Sequence, residues 1–153
     1  MSVEETIKAM GYTLEPLVLD NGKFVHAVRT GNLVFTSGQL SQWGDKVWKG
    51  KVGADVTLDQ AQEAAKICAL NALRAIKAAI GSLEQVKRVV KILGMVNVAP
   101  GFDATPAVMN GASEFLREVF PGEAGLHARS AVGMVLPLNF AVELEMIVEL
   151  KVL

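Results

Sequence analysis

The chain has 153 residues, 51% hydrophobic and 20% charged, which describes one globular domain able to bury roughly 70% of its unfolded surface. Fifteen basic and sixteen acidic residues leave a net charge of −1, and with no block of one sign a dedicated nucleic-acid surface is not expected. No stretch approaches the ~20 apolar residues of a membrane span, Met1 to Met10 lacks a signal-peptide core, and the single Cys68 can close no internal disulfide, so a reduced, cytoplasmic protein is expected.

The first predicted element is a short helix, with Ser2 as cap, Glu5 completing a capping box and Gly11 as the stop. Residues 13–20, "TLEPLVLD", read as a strand broken by Pro16, and "DNGK" as a turn. A hairpin follows, with Phe24 to Arg29 as one arm, Thr30-Gly31-Asn32 as the turn and Leu33 to Ser37 as the other arm. Ser41 to Asp55 holds Trp43 and Trp48 in a glycine-rich loop or short hairpin. Thr57 and Gln60 form a second capping box, and Gly81 ends the helix they start. Along it Ala61, Ala64, Ala65, Cys68, Ala72, Ala75 and Ala79 recur at helical spacing, so this helix can lie close against a sheet. "QVKRVVKILGMVNV" is a strand, and Thr105-Pro106 opens a second long helix with a cap and an N1 proline. Strands over 129–136 and 141–150 close the chain, joined at Pro137-Leu138-Asn139. In the last one Val142, Leu144, Met146, Val148 and Leu150 share one face, and Glu143, Glu145, Glu149 and Lys151 the other. The order predicts an α+β fold in which two main helices cover one face of a mixed sheet.

The chain contains no phosphate-binding loop, dinucleotide fingerprint, nucleophile elbow or H-E-x-x-H pair, and His26 and His127 are too few and too far apart for a metal site. Three features can carry chemistry: Ser37-Gly38 after a strand, Arg129 at the head of an apolar strand, and Glu143 on the polar side of the last one. Each also has an ordinary structural explanation, as a turn, a surface arginine and a solvated glutamate. An arginine in so apolar a run either points to solvent or meets an anion. Cys68 on the small-residue stripe reads as a core thiol, and Lys87, Arg88 and Lys91 as a solvated strand face.

Together, "RTGNLVFTSGQL", the "DVTLDQAQEAAKICALNALRAIKAAIG" helix, "MNGASEFLREVF" and "HARSAVGMVLPLNFAVELEMIVEL" resemble the YjgF/UK114 family, the Rid imine and enamine deaminases. The resemblance runs over 24–153 as the family core, with 1–20 as an N-terminal helix and strand extension of one domain. "WGDKVWKGKVG" and "NVAPGF" resemble a less characterised subgroup. The resemblance implies a chorismate-mutase-like fold and a homotrimer around a central barrel, with clefts between subunits. It implies hydrolysis of small 2-imino or enamine acids to 2-keto acids and ammonia, with no cofactor and no metal. Arg129 would hold the substrate carboxylate, which suits a planar fork meeting a planar anion. Ser37 and the Gly38 N–H would help to hold the substrate, Glu143 would orient water, and Asn110 would lie on the cleft. The partner is a small carboxylate-bearing metabolite, with non-catalytic carboxylate binding as the alternative function.

Three positions depart from the family pattern. Phe24 stands where many members have tyrosine, His127 where proline is usual, and Ala131 where several carry cysteine. His127 is open to a proton-shuttle role or to none. Trp43 and Trp48 are open to edging a neighbouring cleft or packing their loop.

Overall fold

The computed structural model describes residues 1–152. α1 (Val3–Ala9) carries the expected Ser2–Glu5 capping box. Glu4 ties it to residues 77–83, the end of the later long helix and the turn after it, by accepting from Lys77, the Ser82 hydroxyl and the Leu83 N–H. Residues 13–20 are not a strand. Pro16 lacks an N–H, and the segment is instead held by Arg74, which donates to the carbonyls of Glu15 (2.7 Å) and Pro16 (3.1 Å). Its one sheet-like contact is an isolated bridge between Asp20 and Val25.

The hairpin forms from β1 (Ala27–Thr30) and β2 (Leu33–Thr36), with Gly31 at φ 57 in the turn. β3 (Gln39–Leu40) continues beyond a bend at Ser37-Gly38, and β4 (Gln42–Trp43) with β5 (Lys46–Val47) makes a separate small hairpin. α2 (Leu58–Ile80) has its Thr57–Gln60 capping box and stops at Gly81, whose φ of 93 is one that glycine adopts without strain. β6 (Val86–Asn97), α3 (Thr105–Val119), β7 (Ala128–Met134) and β8 (Val142–Leu150) complete the chain. Thr105 is not the cap of α3. Ala104 occupies that position without a side-chain bond, while the Thr105 hydroxyl donates to the Ala131 carbonyl at 3.0 Å and fastens the helix to β7.

The sheet order is β1-β2-β8-β6-β7, with β3 also on β8; β6 and β7 run parallel and the remaining pairs antiparallel. This is the expected α+β, chorismate-mutase-like arrangement. Val142, Leu144, Met146, Val148 and Leu150 are buried beneath α2 and α3, whose alanines allow the close approach. Cys68 lies at the same contact, fully buried, with its thiol donating to the Val142 carbonyl, and burial pushes its pKa well up; it is a core residue. No helix among the described residues is long and apolar enough to cross a membrane.

The other sheet face is open. Glu143, Glu145, Ile147 and Glu149 project from β8, and exposed Val28, Phe35, Val132 and Met134 flank them on β1, β2 and β7. Four large apolar side chains on this sheet face are thus partly open to solvent.

Candidate active site

Arg129 is the second residue of β7, an edge strand, and pairs in register with Ile92, which in turn pairs with Met146. Both partners are buried under the helices, so Arg129 also points to the helix side. There its Nη1 donates to Asn110 Oδ1 at 2.9 Å and to Ser113 Oγ at 3.2 Å, both from α3. Among the described residues its Nε and Nη2 have no acceptor and no carboxylate pairs with it. That leaves one edge of the guanidinium, with two parallel N–H groups, free to take a carboxylate bidentately.

His127 completes this cluster. Its Nδ1 lies 2.7 Å from the Gly125 carbonyl, which can only accept, so Nδ1 carries the proton. Nε2 then accepts from the Ser113 hydroxyl at 2.9 Å, while the Ser113 oxygen accepts from Arg129. Burial lowers the His127 pKa, and the positive charges of Arg129 and Arg117 lower it further against the opposing bond to Gly125. His127 is therefore neutral near pH 7 and locked at both nitrogens, which makes it a support for Arg129 and leaves no nitrogen for shuttling protons. Ser113 links the two and was not singled out in the sequence. Its signal was the i, i+3 spacing from Asn110, which puts both on one side of α3.

The second cluster lies around the β2–β3 bend. Ser37 donates its hydroxyl proton to the Val25 carbonyl at 2.7 Å, and its N–H to His26 O at 2.8 Å, so its observed bonds hold the bend. Gly38 faces Glu143 so closely that a Cβ there would overlap the carboxylate. Glu143 is half-buried, and its pKa is raised by burial first and by the like charge of Glu145 second. Gly38 also borders a groove of about 550 Å³ that Phe24, His26 and Trp43 line. Trp48 is separate: its backbone bonds Ser41 and Ala141, and its ring packs on the core.

The fold brings Arg129, Asn110 and His127 together, and separately Ser37, Gly38, Phe24 and Glu143. It does not join the two groups within one chain. Glu143 pairs with Met95, which pairs with Val132, three residues along from Arg129. Two strand spacings and three residue rises separate the Arg129 and Glu143 Cα positions by roughly 14 Å, on opposite sheet faces. Among the described residues no three His, Cys, Asp or Glu side chains converge as a metal site.

The family model described as "YjgF/chorismate_mutase-like, putative endoribonuclease" matches residues 4–150. The chain belongs to the YjgF family. It is similar to Protein TCP17 of Trypanosoma cruzi, with 38% identity over 151 residues, covering 97% of this chain and 94% of that one. Among solved structures, Atu1372 of Agrobacterium tumefaciens, a protein of unknown function, has 42% identity and a TM-score of 0.88, covering 98% of this chain and 94% of its own. A "putative endoribonuclease" from Shewanella oneidensis has 31% identity and a TM-score of 0.90, covering 98% of this chain and all of its own (100%). The YjgF fold thus spans the chain, and both residue clusters lie inside it.

Proposed function

We propose that the protein hydrolyses small reactive 2-imino and enamine acids to 2-keto acids and ammonia, in a cleft shared by two subunits of a homotrimer. One observation carries this. Arg129 stands on one edge strand, β7, and Phe24 leads into the opposite edge strand, β1. In a closed ring the contacts are head-to-tail, so one subunit's β7 edge meets the next subunit's β1 edge. Two incomplete clusters then become one site, and the exposed apolar residues of the open face are covered.

In that site the free edge of Arg129 takes the substrate carboxylate and fixes the C=N carbon beside Gly38 and Glu143. An enamine substrate first takes a proton from solvent at its β-carbon and becomes the iminium. Glu143 accepts a proton from water as the water oxygen bonds to the iminium carbon, giving a carbinolamine. Glu143 passes that proton to the nitrogen, the C–N bond breaks as the hydroxyl proton returns to Glu143 and C=O forms, and ammonia departs, taking up that last proton. A carboxylate whose pKa is raised toward neutrality is a better base for this step than an ordinary one. Orientation and base catalysis supply about 10²–10⁴-fold over a reaction that already proceeds in water.

The test generates 2-aminoacrylate from serine with a PLP-dependent dehydratase and follows pyruvate release. Acceleration is expected, lost in Arg129→Ala and in Glu143→Gln, and regained when the two variants are unfolded and refolded together. Absence of acceleration over a panel of imino acids overturns the deaminase proposal, and carboxylate binding without turnover supports the binding function instead. The endoribonuclease description attached to the family makes single-stranded RNA the control substrate. The net charge of −1 offers a polyanion little attraction, so no cleavage is expected.

A further inference from the structure

The groove beside Gly38 is larger than a three-carbon imino acid needs. At about 550 Å³ it lies within the range of cavities that enclose whole small ligands. Phe24, 55% exposed, sits with its ring centroid 5.7 Å from His26 in an edge-on arrangement. Trp43 gives a second aromatic wall, itself edge-on to Tyr12 at 5.9 Å. That wall is preformed. Asn71 of α2 donates to the carbonyls of Leu40 (3.0 Å) and Gln42 (2.8 Å), so the strand carrying Trp43 is tied to the long helix. A wall fixed before binding costs little ordering when a ligand arrives. Arg74 and Glu15 also line the groove, and the Arg74 Nε and Nη2 donate to the Glu15 and Pro16 carbonyls.

We infer that this groove receives the substrate side chain, and that Phe24 and Trp43 select 2-imino acids with an aromatic or large apolar side chain over three-carbon ones. The inference rests on the proposed site, in which the carboxylate meets Arg129 and the reacting carbon lies at Gly38. It accounts for Phe24: a phenyl ring offers apolar surface to a side chain with no hydroxyl to desolvate.

Two measurements on the full chain separate this inference from the deaminase proposal. Calorimetry compares the stable products phenylpyruvate and pyruvate, and a coupled assay compares imino acids made by an amino-acid oxidase from phenylalanine and alanine. Phenylpyruvate should bind at least about tenfold tighter than pyruvate, and turnover should show the same preference. Trp43→Leu and Phe24→Ala should each move the ratio toward one, whereas Trp48→Phe, away from the groove, should keep it. Equal affinity for both keto acids, or a ratio unmoved by both groove variants, overturns the inference. Selective binding without turnover supports the groove's role and overturns the deaminase proposal; turnover without selectivity does the reverse.

Discussion

The Glu143 carboxylate rests against Gly38 where any larger residue would carry its Cβ. Gly38 does not have a left-handed φ, so its backbone accepts alanine. The atom an alanine would meet is the end of a flexible side chain, and that end can swing away. Gly38→Ala should therefore fold normally, with a Tm within about 4 °C of the parent, a shift of about 1 kcal/mol for this size. Deaminase turnover should fall on the order of 10–100-fold, because Glu143 loses its position. Parallel thermal melts and pyruvate-release rates check this, and unchanged turnover would dissociate Glu143 from the chemistry.

The pH dependence follows from the same carboxylate. Glu143 must be ionised to accept a proton, and its pKa lies above the ordinary carboxylate value of 4.5. The acid limb of kcat should therefore fall at a higher pH than an unperturbed glutamate would give. Removing the like charge with Glu145→Gln lowers the Glu143 pKa, and the limb should move to lower pH. The stability effect has a definite sign. A raised folded-state pKa means the folded protein favours protonated Glu143, and that contribution is present below the ordinary value and lost as pH rises through the folded one. Glu143→Gln should thus be at least as stable as the parent at pH 7 while losing turnover, as measured by urea unfolding beside kinetics.

His127 acts on Arg129 through Ser113. His127→Ala leaves the Ser113 hydroxyl without its acceptor, at about 1 kcal/mol, and frees one support of the guanidinium. KM for the imino acid should rise several-fold with a smaller change in kcat, and Arg129→Lys, which keeps charge but loses the fork, should fall between parent and Arg129→Ala. The neutral histidine also contributes stability present above its ordinary pKa of 6.5 and lost as pH falls through the lowered folded value. His127→Gln should flatten that part of the pH–stability profile.

Much of this was written in local sequence. α2 announced itself through Thr57, Gln60 and Gly81, because capping is a short-range signal. β8 did so because one buried face enforces strict alternation. The motif around Arg129 carried the family, and with it the list of candidate residues. The helix-side direction of Arg129 was hidden. β7 is "ARSAVGM", small or apolar on both faces, and only its parallel register with Ile92 decides which way the arginine points. Thr105 misled for a similar reason: its hydroxyl had a cap as the local choice and the Ala131 carbonyl as the tertiary one, and the tertiary partner won. The strand expected over 13–20 failed because Pro16 has no N–H to give a ladder and Arg74 took the Glu15 and Pro16 carbonyls, leaving one bridge from Asp20 to Val25.

The close packing of α2 on α3 gives a prediction in which two effects oppose each other. Gly111 lies inside α3, where alanine would normally gain about 1 kcal/mol of helix propensity. Here an added Cβ would lie 2.7 Å from the carbonyl carbon of Gln62 on α2, and backbone, unlike a side-chain tip, cannot swing aside. The two helices are also clasped at this point by Gln62 Nε2 donating to the Ala107 carbonyl at 2.9 Å. Overpacking against backbone falls toward the upper end of about 1–3 kcal/mol and should outweigh the propensity gain by about 1–2 kcal/mol, so Gly111→Ala should lower Tm by roughly 2–8 °C. Because Asn110 and Ser113 flank Gly111 on the same helix, the forced shift of α3 should also loosen both partners of Arg129. Keto-acid affinity measured well below the new Tm should therefore weaken together with stability, and a more stable Gly111→Ala would show that the helices can separate more easily than this contact implies.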